Sequence, residues 1–185
     1  MVELKSDKQI QLHLGCGDRY IPGFLHVDIR PLPHVQIVTP VDKLDSFASN
    51  SVDLIYNCHV LEHLRRGEEL RVLIEWYRVL KPHGILRTAV PNFEAVVQWY
   101  QKTKNLDDLM GCLYGRQNYE YNFHYQAFDF ARLAKLLKAA GFTNIYKYDW
   151  RETIHKDYDD FSQAYLPHMD KERGLLMSLN VEATK

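Results

Sequence analysis

Short apolar runs alternate along the chain with longer stretches in which apolar residues recur every three or four positions. The short runs predict β-strands at residues 11–14, 25–29, 35–38, 52–58, 85–90, 144–150 and 175–182. The longer stretches predict helices at residues 67–80, 92–102, 105–114 and 129–140. Alternating strands and helices are typical of α/β proteins, so we predict a mostly parallel, Rossmann-like sheet with helices on both faces.

The size and composition of the chain predict a single domain over residues 1–185. Of the 185 residues, 46% are hydrophobic and 25% are charged, which is enough to bury a sizeable core. The net charge of −1 offers no basic surface for nucleic acid, and apolar runs such as 85–90 are too short to cross a membrane. The 12% content of aromatic residues is compatible with a homodimer.

Cysteines, histidines and the N-terminal stretch bear on compartment and metal binding. Three cysteines without framework spacing, and an N-terminus without a signal-like apolar stretch, favour a cytoplasmic location. The nine histidines form no HExxH motif and the cysteines no CxxC motif, so we predict no metal site.

A glycine turn, Gly15-Cys16-Gly17, follows the first predicted strand, where α/β proteins bind ligands. A dinucleotide fingerprint needs a third glycine and an acidic residue about 20 residues further on. Here Tyr20 replaces that glycine, and Asp28 comes thirteen residues after Gly15. Pro22 leaves no room for the helix that would hold a pyrophosphate. The ligand should therefore have a ribose and no bridging phosphate, as S-adenosylmethionine does. Asp28 would bind the ribose diol, or else serve as a loop or capping carboxylate.

Four segments, in the right order, carry a family resemblance: LHLGCG, VDKLDSFASNSVDLIYNCHVLEHL, EWYRVLKPHGILRTAVP and FARLAKLLKAAGF. They resemble class I S-adenosylmethionine-dependent methyltransferases of the type 11 group, over nearly the whole chain. The resemblance implies a seven-stranded sheet whose last strand is antiparallel, with residues 175–182 as the candidate for that strand.

The resemblance also implies roles for individual residues. The methionine moiety would be lined by Gly15, Cys16 and Gly17, and the ribose held by Asp28. Asp42 would lie near the adenine amino group, with Lys43 and Leu44 packing the ring. Asp42 is alternatively a solvated loop charge, and Asp45 competes with it. The residues under the cofactor beside its methyl group would be Asn57, Cys58 and His59. His63 is expected to brace the start of a helix.

The chain departs from the family pattern at two positions and in one connection. His13 stands where the family usually has an acidic residue, and Arg19 replaces the third glycine of the motif. Arg19 would bind the cofactor carboxylate through its guanidinium, or else lie on the surface. Only about seven residues separate Gly17 from Leu25, so we predict a compact turn in place of the first crossover helix.

Two insertions, at about 103–127 and 151–174, are predicted to form the lid or substrate site. Aromatic and polar residues from Tyr114 to Phe128 suit a small-molecule pocket, or else a lid that only packs on the core. In the second insertion, Asp159, Asp160 and His168 would face the same pocket. If the reaction uses a general base, the candidates in order are His124, His59 and Tyr125.

The functional hypothesis is methylation of an oxygen or nitrogen on a small molecule, with a sugar-linked acceptor suggested by resemblance alone. The alternative is a non-catalytic protein that binds S-adenosylmethionine or S-adenosylhomocysteine in a regulatory or assembly role, which His13 and Arg19 would suggest. An NAD(P)-dependent enzyme is disfavoured by Tyr20 and the short crossover.

Overall fold

Seven strands form one sheet in the computed structural model, which describes residues 9–185. They are β1 (Gln11–Leu14), β2 (Leu25–Asp28), β3 (Ile37–Val38), β4 (Val52–Cys58), β5 (Leu80–Pro91), β6 (Thr143–Lys147) and β9 (Ser178–Thr184). Their spatial order is β3-β2-β1-β4-β5-β9-β6, and only β9 runs antiparallel to its neighbours. The predicted sheet with an antiparallel last strand is confirmed. Residues 1–8, at the start of the N-terminal stretch considered above, lie outside the described residues.

The last predicted strand is divided in two. Its first residues form β8 (Leu175–Leu176), which pairs with β7 (Tyr165–Leu166) in a small separate hairpin, and the rest form β9. The strand predicted at 144–150 ends early, because residues Trp150–Glu152 turn into a short 3-10 helix capped by the Asp149 side chain.

The helices lie close to their predicted positions. They are α1 (Glu69–Val79), α2 (Phe93–Thr103), α3 (Met110–Tyr114) and α4 (Phe130–Ala139). The side chains of Asn92 and Asp129 cap α2 and α4 by accepting backbone N–H groups. Within residues 9–185, no helix has the length and apolar character needed to cross a bilayer.

The two faces of the sheet are covered in different ways. Side chains alternate between faces along a strand. Leu12 and Ile55 therefore point into the large core with Trp76 of α1 and Leu133 of α4. His13 and its neighbour Tyr56 point to the opposite face, where the short crossover supplies Ile21 and Phe24. That crossover contains no helix, which confirms the predicted compact turn.

The opposite face also buries an unusual group of imidazoles. His13 is 2% exposed, and its ring centroid lies 5.5 Å from that of His26 and 5.2 Å from that of Tyr56. His155 lies against Tyr56, with 4.0 Å between ring centroids. Burial, together with the nearby His26 and His155, lowers the pKa of His13 to about 3.

We expect the His13→Phe variant to lose less of its free energy of unfolding than wild type as the pH falls below 6. The pKa of His13 is about 3 in the folded protein, against 6.5 when unfolded. The stability associated with neutral His13 is therefore present above pH 6.5 and is lost as pH falls towards 3. Phenylalanine takes up no proton. The free energy of unfolding of the variant, relative to that of wild type, should therefore rise by about 1.4 kcal/mol per pH unit below pH 6.

The measurement is urea unfolding of both proteins at pH 7, 6 and 5. His168→Phe is the control, because His168 is exposed. Profiles of wild type and His13→Phe that stay parallel would contradict the prediction.

Candidate active site

A cavity of about 420 Å³ lies at the carboxyl ends of β1, β2 and β4. This is where parallel α/β sheets bind their ligands, and the volume is typical of small-molecule pockets. Of the predicted site residues, those that line it are Gly15, Gly17, Asp28, Asp42, His59 and Tyr125. The others, which do not line it, are Cys16, Arg19, Lys43, Leu44, Asn57, Cys58 and His124.

The glycine turn forms the floor of the cavity at the end of β1. Gly15 and Gly17 have φ values of +61° and +55°, in the left-handed region that favours glycine. A Cβ atom on Gly15 would lie 2.6 Å from Cγ2 of Val60, which also lines the cavity. The backbone can therefore approach a ligand closely here, and any side chain would close part of the space.

Asp28, the last residue of β2, holds a fixed carboxylate at the cavity wall. Its Oδ2 accepts the N–H of Gly17 at 2.8 Å, and its Oδ1 accepts the N–H of Arg30 at 2.9 Å. The side chain is only 7% exposed. Oδ1 also accepts the Arg30 Nε–H at a longer distance of 3.4 Å. Because a carboxylate oxygen can accept about two hydrogen bonds, Oδ2 keeps capacity for one more partner, which suits a ligand hydroxyl group.

The second predicted acidic position also lies at the cavity. Asp42 lines the cavity, whereas Asp45 is exposed and does not. Oδ2 of Asp42 pairs with the Arg71 guanidinium at 2.5 Å. The Leu44 side chain lies in the sheet core instead of the cavity, and Lys43 points to solvent. Neither side chain therefore faces the cavity, where the resemblance expects both to pack against the adenine ring.

The structure places Arg19 away from the main cavity. Arg19 lines a different, smaller pocket with Asp159 and Asp160, which therefore also lie away from the main cavity. The arginine beside the glycine turn is Arg30, whose Nη2 would lie 3.3 Å from a Cβ atom on Gly17. Its guanidinium also lies 5.0 Å from the centre of the Tyr119 ring.

Sequence reasoning overlooked Arg30 and its neighbour Ile29. Both line the cavity directly after Asp28. A signal was present, because the residues that follow an acidic strand end lie at the same edge of the sheet.

Two of the three candidate bases reach the cavity. His59 and Tyr125 line it, whereas His124 lies one layer behind, with Nδ1 bonded to the Cys112 carbonyl at 2.9 Å. Burial lowers the pKa of His59 to about 3. His59 is therefore neutral at pH 7 and weakly basic, which suits positioning better than proton transfer.

The remaining predicted residues lie beneath the cavity. Cys16 is 3% exposed, and burial raises the pKa of its thiol to about 12. Asn57 is fully buried, and its Oδ1 accepts the Thr88 hydroxyl at 2.7 Å. Both support the strand ends from inside the protein.

The aromatic wall comes from the first predicted insertion. Tyr119, Tyr121 and Tyr125 line the cavity, and each keeps at least two fifths of its surface exposed. The second insertion contributes no residue to this lining, and His168 is exposed at the surface.

Comparison with known proteins gives a family match over part of the chain and a shared fold. A family model described as a methyltransferase domain matches residues 22–88, which begin just after the glycine turn. A search of curated proteins found no match.

Solved structures share the fold over nearly the whole chain. A methyltransferase from Thermotoga maritima is 15% identical, with a TM-score of 0.59, covering 95% of this chain and 82% of that one. One from Archaeoglobus fulgidus is also 15% identical, with a TM-score of 0.58, covering 97% and 87%. The Burkholderia thailandensis 1,6-didemethyltoxoflavin-N1-methyltransferase, solved with bound 1,6-didemethyltoxoflavin and S-adenosylhomocysteine, is 18% identical, with a TM-score of 0.59, covering 95% and 70%.

The fold is that of the class I methyltransferases, with the strand order and the antiparallel last strand described above. Residues 22–88 match a methyltransferase domain, and the fold of the described residues is shared with S-adenosylmethionine-dependent methyltransferases.

Proposed function

We propose that this enzyme methylates an oxygen or nitrogen of a small-molecule acceptor bound against Tyr119, Tyr121 and Tyr125. The observation that carries the proposal is the fixed Asp28 carboxylate beside the Gly15–Gly17 turn, in a cavity with an aromatic wall. Polar groups set among aromatic rings are typical of small-molecule sites. A sugar-linked acceptor would also fit such a wall.

Each cavity element has a role in this proposal. Asp28 accepts the two ribose hydroxyls, and Asp42 lies on the adenine side. Ile29, half-exposed at the end of β2, packs against the adenine ring. The backbone of Gly15 and Gly17 lines the methionine moiety.

S-adenosylmethionine supplies a methyl group on a positively charged sulfur, which is a strong electrophile. The protein therefore has mainly to align the acceptor and exclude water. The three tyrosines provide the flat wall for that alignment. Of the three, Tyr125 is the one that the sequence also predicts as a candidate base, after His124 and His59.

Arg30→Ala is expected to weaken S-adenosylmethionine binding by about tenfold. The change removes a cation beside the Gly17 turn and the charged partner of the Asp28 carboxylate, which is proposed to bind the ribose. The Arg30 Nε lies 3.4 Å from Oδ1 of Asp28. Arg19→Ala is the matched control and should bind normally, since Arg19 lines the other pocket. Calorimetric titration measures both affinities; the opposite ranking would restore Arg19 as the contact.

The test of the proposal has two stages. Calorimetry should show micromolar binding of S-adenosylmethionine and S-adenosylhomocysteine, and none of NAD. Transfer of a labelled methyl group is then measured over a panel of small hydroxyl and amine acceptors, including monosaccharides. Binding without transfer to any of them would favour the non-catalytic regulatory or assembly role.

A further inference from the structure

A cluster of three potential metal ligands lies directly behind the cavity wall. Glu62 and His63 belong to a short 3-10 helix, Leu61–His63, that follows β4, and His124 belongs to the first insertion. Each of the three offers one ligand atom within 4.8 Å of the other two. The Tyr125 N–H, which donates to the Glu62 carbonyl at 2.8 Å, holds the two segments together.

The Glu62 carboxylate is buried without a hydrogen-bond partner. The residue is 0% exposed, and neither oxygen accepts a hydrogen bond from residues 9–185. His59 Nδ1 lies 3.3 Å from Oε1, but the contact lacks hydrogen-bond geometry. A buried carboxylate is costly unless it is paired or coordinates a metal. A cation would supply the missing partner.

Both imidazoles are held in the tautomer that binds metals. His63 Nδ1 lies 3.0 Å from the Phe123 carbonyl, and His124 Nδ1 lies 2.9 Å from the Cys112 carbonyl. A carbonyl only accepts, so each Nδ1 carries the proton and each Nε2 keeps a free lone pair. Metal-binding histidines almost always have such a partner on the second nitrogen.

We propose that Glu62, His63 and His124 bind one transition-metal dication such as Zn²⁺. Two imidazoles and one carboxylate form a common three-ligand set with a position left open. Ligands on one tetrahedral ion lie about 3.4 Å apart, so side-chain shifts of about 1 Å would close the site. The sequence predicts no metal because these ligands come from an adjacent pair and a residue 61 positions later, not from an HExxH motif.

The open position has a use that rests on the proposed function. His63 lines the cofactor cavity. An ion beside it would be placed to coordinate an acceptor oxygen and lower the pKa of that hydroxyl. The metal site itself does not depend on methyl transfer.

The test uses the full chain, treated with EDTA, dialysed, and titrated without S-adenosylmethionine. Co²⁺ is followed by its visible absorption and Zn²⁺ by calorimetry. We expect one ion per chain, and at least about 100-fold weaker binding in Glu62→Gln and His124→Ala. His168→Ala, which removes an exposed histidine outside the cluster, should bind like wild type.

Further measurements separate the possible failures. Thermal unfolding in EDTA shows whether each variant folds, and His63→Gln replaces any that does not. Asp28→Asn should keep full Zn²⁺ affinity, so failure of cofactor binding is distinguishable from failure of the metal site. Absence of Co²⁺ absorption, or equal loss of binding in His168→Ala, would overturn the proposal.

Discussion

Asp28→Asn is expected to weaken binding of S-adenosylmethionine and S-adenosylhomocysteine by about 100-fold or more. The reason is the proposed loss of two charge-assisted hydrogen bonds to the ribose, each contributing about 1.5–3 kcal/mol. The new amide also has one donor end, which must face the N–H of either Gly17 or Arg30. The substitution therefore disturbs the turn as well as the ligand contact.

Asp45→Asn is the matched control for this variant. It removes the same charge from an exposed position outside the cavity. Calorimetry on wild type and both variants at one salt concentration separates a specific contact from a change in net charge. If Asp28→Asn binds within about threefold of wild type, Asp28 is a structural carboxylate that only holds Gly17 and Arg30.

The sheet was predictable because its strands are short and buried. The run at Val52–Cys58 is mostly buried on both faces, and Gly15 and Asp28 mark the ends of their strands. Strand ends of a parallel sheet meet at one edge. Linear sequence therefore placed the glycine turn and Asp28 in the same cavity without a structure.

The residues that line the cavity from loops were harder to predict. The compact crossover turns Arg19 towards a second pocket, while Arg30 follows Asp28 into the main one. In the sequence Arg19 comes two residues after Gly17 of the glycine turn, and Arg30 comes two residues after Asp28. Which of them faces the cavity depends on the backbone path between Gly17 and Leu25, and the hydrophobic pattern does not encode that path.

The short crossover also explains where His13 belongs. In place of a helix, the turn covers the sheet with Ile21 and Phe24, and the Ile21 N–H donates to His26 Nε2 at 2.9 Å. His13 packs beneath that turn and does not face the cavity. Its replacement of the family's usual acidic residue is therefore tied to how this face is covered.

Gly15→Ala should reduce the free energy of unfolding by about 2–5 kcal/mol and weaken cofactor binding more than tenfold. The left-handed φ of +61° costs an alanine about 1–2 kcal/mol. Its Cβ would lie 2.6 Å from Cγ2 of Val60, a clash that adds about 1–3 kcal/mol. Relief of the clash moves Val60 or the turn, and both line the cavity.

Gly23→Ala isolates the backbone contribution to this effect. Gly23 also has a positive φ, +88°, but a Cβ there would meet nothing within 4 Å. The free energy of unfolding should fall only by the left-handed penalty of about 1–2 kcal/mol, and cofactor affinity should be unchanged.

In the double variant Gly15→Ala/Val60→Ala, removal of both Val60 methyl groups should recover about 1–3 kcal/mol relative to the sum of the single changes. Urea unfolding of Gly15→Ala, Gly23→Ala, Val60→Ala and the double variant measures this coupling. Additive effects would mean that Val60 is not what requires glycine at position 15.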